Sequence, residues 1–187
     1  MDANQAARNV DIVIGTLLRG ESQPYIGEPV SQLEHALQAA HFAQSRFGDA
    51  RVTLAALLHD VGHLLGEKHE QMDGFGTRSH EHVGAEFLSE LGFKSSLCRL
   101  VAQHVNAKRY LCYRNERYFQ RLSCASRETL AWQGGPLNAA EAKAFEQDPD
   151  FEIILALRTI DEKSKQTDID VPQLESYRDM LIEHFLK

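Results

Sequence analysis

The chain has 187 residues, 43% of them hydrophobic and 25% charged, which is enough apolar content for an ordinary core and too much for a disordered polymer. A net charge of -7 argues against nucleic acid or an anionic membrane as partner, and no apolar run is long enough to span a bilayer. The opening MDANQAARNVDIVIGTLLRG has an acid in second place and a broken apolar pattern, unlike a signal peptide, so a cytoplasmic protein is expected, with Cys98, Cys112 and Cys124 as reduced thiols.

Apolar residues recur at helical spacing and strict alternation is nearly absent, which predicts an all-α fold. In chain order the helices are expected over 5–19, 30–47, 51–65, 79–91, 95–110, 122–132, 138–147, 150–164 and 172–186. Gly48-Asp49, Gly92 and Gly134-Gly135-Pro136 are the breaks, and Asn138 with Glu141 three residues on reads as a capping box. Residues 67–78, with Asp73-Gly74-Phe75-Gly76, read as a loop. No repeat or linker divides the chain, so one domain over 1–187 is expected, with the chemistry within about 30–165.

The helix from Arg51 is apolar on nearly every side, yet it carries His59, Asp60 and His63. A buried carboxylate without a partner costs several kcal/mol, so Asp60 needs something positive beside it; an arginine or a helix N-terminus would do. On the helix wheel His80 shares the stripe of Val83, Gly84, Phe87 and Leu91, and His82 faces the other way. His104 shares the stripe of Leu97, Leu100 and Val101, with Lys108 one turn on, while Arg158 and Asp161 lie on or beside the Phe151, Ile154 and Leu155 stripe. One inward histidine is usually a satisfied core residue. Several of them with two inward carboxylates are more economically held by metal, and they exceed what one ion with an open position uses. Two ions are inferred, bridged by Asp60; imidazoles with hard carboxylates suit iron or manganese, with zinc a further option.

His35, His59-Asp60 and Asp161 resemble the H...HD...D pattern of the HD-domain superfamily, and His80 and His104 resemble its two-metal members. The segments YIGEPVSQLEHALQAAHFAQ, LLHDVGH, SHEHVGAEFL, HVNAKRYL, SRETLAWQGGP and RTIDEKSKQTD resemble the mixed-valent diiron oxygenases that cleave 1-hydroxy-2-aminoethylphosphonate to glycine and phosphate. Myo-inositol oxygenase is a more distant likeness. The resemblance implies two iron ions, Fe(II)/Fe(III), with O2 as cosubstrate. It implies His35, His59, Asp60 and Asp161 around one iron, and Asp60, His80 and His104 around the other. It also implies Lys108, Ser126 and Arg158 on the phosphonate, His63 beside the substrate, and Tyr25 with Glu28 closing over it. His35 enters by resemblance alone, since it lies well off the stripe of Leu33, Ala36, Leu37 and Ala40.

Taken singly, Arg158 and Asp161 read as an i, i+3 ion pair and Ser126 as a hydroxyl bonded to its own helix. The main rival function is a metal-dependent phosphohydrolase, but HDVGH ends in His63 where HDxxK phosphodiesterases carry lysine. A regulatory module without turnover is disfavoured because every ligand position is filled. A small organophosphonate is the expected partner, with no obligatory protein partner. Glu28 and Tyr25 suit a primary ammonium on it, whereas N-methylated analogues would need an aromatic cage, for which Tyr110, Trp132 or Phe42 are candidates.

Overall fold

Side-chain caps set many of the helix boundaries in the computed structural model, which describes residues 1–25, 27–66 and 69–187. Ile26, within a segment compared above, and Glu67 and Lys68, at the head of the expected loop, lie outside the described residues. Helix α1 (Ala3–Leu18) begins where Asp2 accepts from the Gln5 N–H. Helix α2 (Gln32–Phe47) opens on a Ser31–Glu34 capping box and ends at Gly48, whose φ of 60° suits glycine. Asp49 caps α3 (Ala50–Leu58), and α4 (His80–Glu90) and α5 (Ser95–Arg114) follow. Next come α6 (Glu116–Arg121), α7 (Cys124–Trp132), α8 (Ala139–Phe145) under the expected Asn138–Glu141 box, α9 (Phe151–Lys163) and α10 (Arg178–Leu186). The fold is all-α as predicted: among the described residues there is no strand, only isolated bridges at Pro24–Ser31 and Gln71–Thr77.

Three departures from the predicted elements matter. Helix α5 runs on to Arg114, and Asn115 then caps α6 by accepting from the Arg117 and Tyr118 N–H groups; α6 has no buried residue, hence no apolar stripe to read. The C-terminal segment opens as a 3-10 turn, Leu174–Tyr177, before α10. Most important, the expected 51–65 helix stops at Leu58. Asp60 leaves helical geometry (φ -102°, ψ 10°), and the chain tightens into a 3-10 turn, Val61–Leu64. At Gly62 that turn presses on the start of α4 so closely that a Cβ would stand 2.0 Å from the His80 carbonyl oxygen.

Helix α3 is central, packed against α2, α5, α9 and α10, and α4 lies across α5 and the Val61–Leu64 turn. Leu54, Leu57 and Leu58 are fully buried, each stabilising the fold by roughly 1.5–3 kcal/mol. His59 and Asp60 thus emerge from the most rigid part of the core. No helix among the described residues is long and apolar enough to cross a membrane.

Candidate active site

The six expected ligands converge on Asp60. One of its oxygens, Oδ2, lies 3.3 Å from His59 Nε2 and 3.6 Å from His35 Nε2; the other, Oδ1, lies 3.2 Å from His80 Nε2 and 3.4 Å from His104 Nε2. The two imidazoles of each pair face one another, at 3.1 Å for His35 and His59 and 3.0 Å for His80 and His104. Asp161 Oδ1 stands 3.5 Å from His35 Nε2 and is buried without a hydrogen-bond partner.

Backbone carbonyls decide what the imidazoles present. The Nδ1 atoms of His35, His59 and His104 each lie 2.8 Å from a carbonyl, of Ser164, Ala56 and Val101 respectively. A carbonyl only accepts, so each Nδ1 carries the proton and each Nε2 turns a lone pair toward Asp60. Two lone pairs 3.1 Å apart, as between His35 and His59, repel unless a cation lies between them. Left to protein groups alone, a proton fills that role. Burial opposes charge on His59, but the Asp60 carboxylate outweighs it and raises its pKa to about 9, while burial and then the His59 charge lower His35 to about 4. Burial disfavours the Asp60 carboxylate too, yet the His59 charge and the surrounding imidazoles hold its pKa well below the usual range.

A metal ion fits the same place better. Nitrogens bound to one ion at about 2.1 Å and near right angles lie about 3 Å apart, which is the spacing of both pairs. The orphan Asp161 Oδ1 completes the donor set beside the first pair, and Asp60 spans both. Hard carboxylates with imidazoles and no thiolate suit iron or manganese.

His63 behaves differently although it stacks on His80, with ring centroids 3.9 Å apart. Its Nδ1 accepts the Thr77 backbone N–H at 3.0 Å, so Nε2 keeps the hydrogen and faces the pocket as a donor. Burial, then the charge of His80, keeps its pKa well below the ordinary value, so it is neutral. His63, His80 and Asp60 have ligand atoms close enough for one ion. The Thr77 bond argues against His63 as a ligand and for it as a hydrogen-bond donor. The turn that brings Thr77 there also delivers Phe75 to the pocket, using glycines at φ 88° (Gly74) and 86° (Gly76).

Beside the cluster is a cavity of about 60 Å³, lined among others by Tyr25, Asp60, His63, Lys108, Ser126 and Arg158, so every expected substrate residue except Glu28 borders it. Glu28 borders an adjoining cavity of about 500 Å³, which shares Ser126, Arg158 and Lys165 with the first. Tyr25 stacks on His35 (centroids 3.9 Å apart, 14° between planes), and burial, then the Asp60 charge, pushes its phenol pKa well up. Lys108 is buried with Nζ donating to Thr129 Oγ1 at 2.9 Å; burial, then the nearby Arg158 charge, lowers its pKa to about 7.

Arg158 is more than the ion-pair partner of Asp161. NH1 donates to Asp161 Oδ2 at 2.5 Å, NH2 to Glu162 at 3.1 Å and Nε to the Tyr118 hydroxyl at 2.9 Å. Two of its five N–H groups remain for a ligand. The Ser126 hydroxyl has no hydrogen-bond partner among the described residues; the helix bond expected of a lone serine is made by Thr129, which donates to the Ala125 carbonyl. Thr129, one turn from Ser126 on α7, could have been read from its spacing. Lys165, just past the end of α9, had no periodicity to reveal it.

Two expectations need correcting. Glu28 is not a free receiver for an ammonium, because Lys165 Nζ donates to its Oε1 at 2.8 Å. None of the three cage candidates lines the pocket. Tyr110 packs on Phe145 and Phe151 and bonds Glu146, Phe42 packs on the core beside α2, and Trp132 is exposed.

Comparison with known proteins agrees with this arrangement. The HD domain matches residues 33–161. The chain is 39% identical over 173 residues to the [1-hydroxy-2-(trimethylamino)ethyl]phosphonate dioxygenase (glycine-betaine-forming) of Leisingera caerulea, an alignment covering 92% of this chain and 88% of that protein. It is 40% identical over 163 residues to the hydroxymethylphosphonate dioxygenase of Gimesia maris, covering 86% and 81%. An uncharacterised protein of Acanthamoeba polyphaga mimivirus is 37% identical over 183 residues, covering 96% and 83%.

Proposed function

The chain belongs to the HD-domain family, and on that premise we propose that it is a dioxygenase that cleaves the carbon–phosphorus bond of a 1-hydroxyphosphonate, taking up O2 and yielding a carboxylate and phosphate. One observation carries the reading: each oxygen of Asp60 faces a converging pair of imidazoles, and Lys108, Ser126 and Arg158 border the same cavity. The names of the relatives support it. In this reading His35, His59, Asp60 and Asp161 hold one iron, and Asp60, His80 and His104 hold a second. Those two ions supply the dioxygen chemistry and the Lewis acidity that neither imidazole nor carboxylate has.

The protein's own groups do the rest. Arg158 offers its two spare N–H groups, Lys108 its ammonium and Ser126 its hydroxyl to a phosphonate, so the dianion is met by two cations and a neutral donor. His63 stays neutral and donates from Nε2, which orients an oxygen without contributing charge. Tyr25, stacked on His35, covers the cluster and excludes water. Conversion of a hydroxylated carbon to a carboxylate with loss of phosphate balances with one O2 and removes four electrons, so no further reductant is required. The 2-amino substituent expected from the resemblance requires Glu28 to accept a second cation besides Lys165.

The test is turnover of 1-hydroxyphosphonates by the iron-loaded protein, read by oxygen electrode, phosphate release and iron content. About two iron ions per chain, one O2 per phosphate and label from ¹⁸O2 in the carboxylate are expected. Hydrolysis of phosphate esters that proceeds equally without oxygen, or full activity with a single zinc, would replace this reading with the phosphohydrolase.

A further inference from the structure

Resting on that assignment, we propose that Lys165, paired with Glu28, is a specificity-determining residue that selects 1-hydroxyphosphonates whose carbon carries hydrogen or a neutral group and disfavours those carrying an ammonium. The Lys165–Glu28 bond is 2.8 Å long and its side chains are only 14% and 12% exposed, so this is a built contact and not a solvated surface pair. Lys165 Nζ also lies 5.4 Å from the Tyr25 ring centroid, which ties the pair to the residue covering the cluster. Lys165 borders the metal-side cavity together with Asp60 and Arg158, and the wider cavity together with Glu28. A substituent leaving the phosphonate carbon toward the wider cavity must pass this pair.

The charge inventory gives the direction. Lys108 and Arg158 already answer the phosphonate, and Lys165 is a third cation whose charge is matched by Glu28. An incoming ammonium meets Lys165 at short range and must share Glu28 with it or force it toward Lys108 and Arg158. Trimethylation makes this worse, because a quaternary ammonium cannot donate a hydrogen bond to Glu28 and none of the three candidate cage aromatics lines the pocket. A hydrogen or methyl group leaves the ion pair intact.

The experiment compares hydroxymethylphosphonate, 1-hydroxyethylphosphonate, 1-hydroxy-2-aminoethylphosphonate and its trimethylammonium analogue on the iron-loaded protein and on Lys165→Met. The parent should favour the first two by tenfold or more in kcat/KM, and Lys165→Met should shrink that ratio at least tenfold, mainly through KM. Preference of the parent for either ammonium substrate, or an unchanged ratio in a folded Lys165→Met, would overturn the proposal. Anaerobic calorimetry on the parent needs no variant and should give the same order in Kd; the reverse order overturns it. If none of the four is oxidised, the oxygenase assignment fails, and the anaerobic binding order still decides the role of Lys165.

Discussion

Gly62→Ala tests whether the close approach of the Val61–Leu64 turn to α4 is what sets the second half of the cluster. A Cβ on residue 62 would stand 2.0 Å from the His80 carbonyl oxygen, 2.8 Å from its carbonyl carbon and 3.0 Å from the Gly84 nitrogen, all backbone atoms that cannot rotate away. Relief requires the turn and the helix to separate by about 1 Å or more, whereas metal–ligand distances tolerate only about 0.2 Å. Asp60 precedes the turn and His80 begins the helix, so the separation falls between two ligands of one ion. Overpacking of this kind costs about 1–3 kcal/mol, which for a chain of this size lowers Tm by roughly 2–12 °C. Gly15→Ala is the control: nothing lies within 4 Å of its Cβ, and removing a helical glycine should stabilise α1 by up to about 1 kcal/mol. Thermal melts and iron analysis of both variants are the assay. Gly62→Ala should melt lower and lose mainly one ion, keeping the one beside His35, His59 and Asp161. If it retains two ions per chain at the parental Tm, the close packing is incidental to the site.

Arg158→Lys keeps the charge, yet one ammonium cannot replace a guanidinium that already serves Tyr118, Asp161 and Glu162. Losing a hydrogen bond to the phosphonate should cost about 1.5–3 kcal/mol, a tenfold or greater rise in Kd by calorimetry, and unchanged binding would leave Arg158 only an ion-pair partner of Asp161. Lys108, lowered to about pH 7 by burial and then by Arg158, should regain its proton as a dianion binds, so phosphonate affinity should fall as pH rises above about 7. Calorimetry across pH should show that limb in the parent and a flat line in Lys108→Met; a limb that persists belongs to another group. The same depressed pKa has the opposite effect on stability without ligand. The folded state bears the full cost of the buried charge below about pH 7, and this contribution to stability rises from there to the ordinary lysine value of 10.5.

What could be read from the residues was wherever a polar group broke an apolar pattern on a helix long enough to have a face. Asp60 in the α3 run, His80, His104, Lys108, Arg158 and Asp161 all obeyed that rule, and all are buried. His35 did not, since it lies off the apolar stripe of its helix yet has no exposure at all. The reason is tertiary: α2 packs against both α3 and α9, and Tyr25 covers His35 from the preceding segment, so the buried arc is wider than one stripe. Lys165 and Glu28 lie outside the helices, where spacing carries no direction, and their pairing joins segments 137 residues apart. The same limit applies to the break after Leu58. An apolar run predicts continued helix, and only the Gly62 contact with α4 explains why the chain turns. That break turns Asp60 out of the α3 axis so that its two oxygens face different imidazole pairs. A continuous helix would have kept His59 and Asp60 100° apart on one cylinder, and only the turn lets one carboxylate serve both.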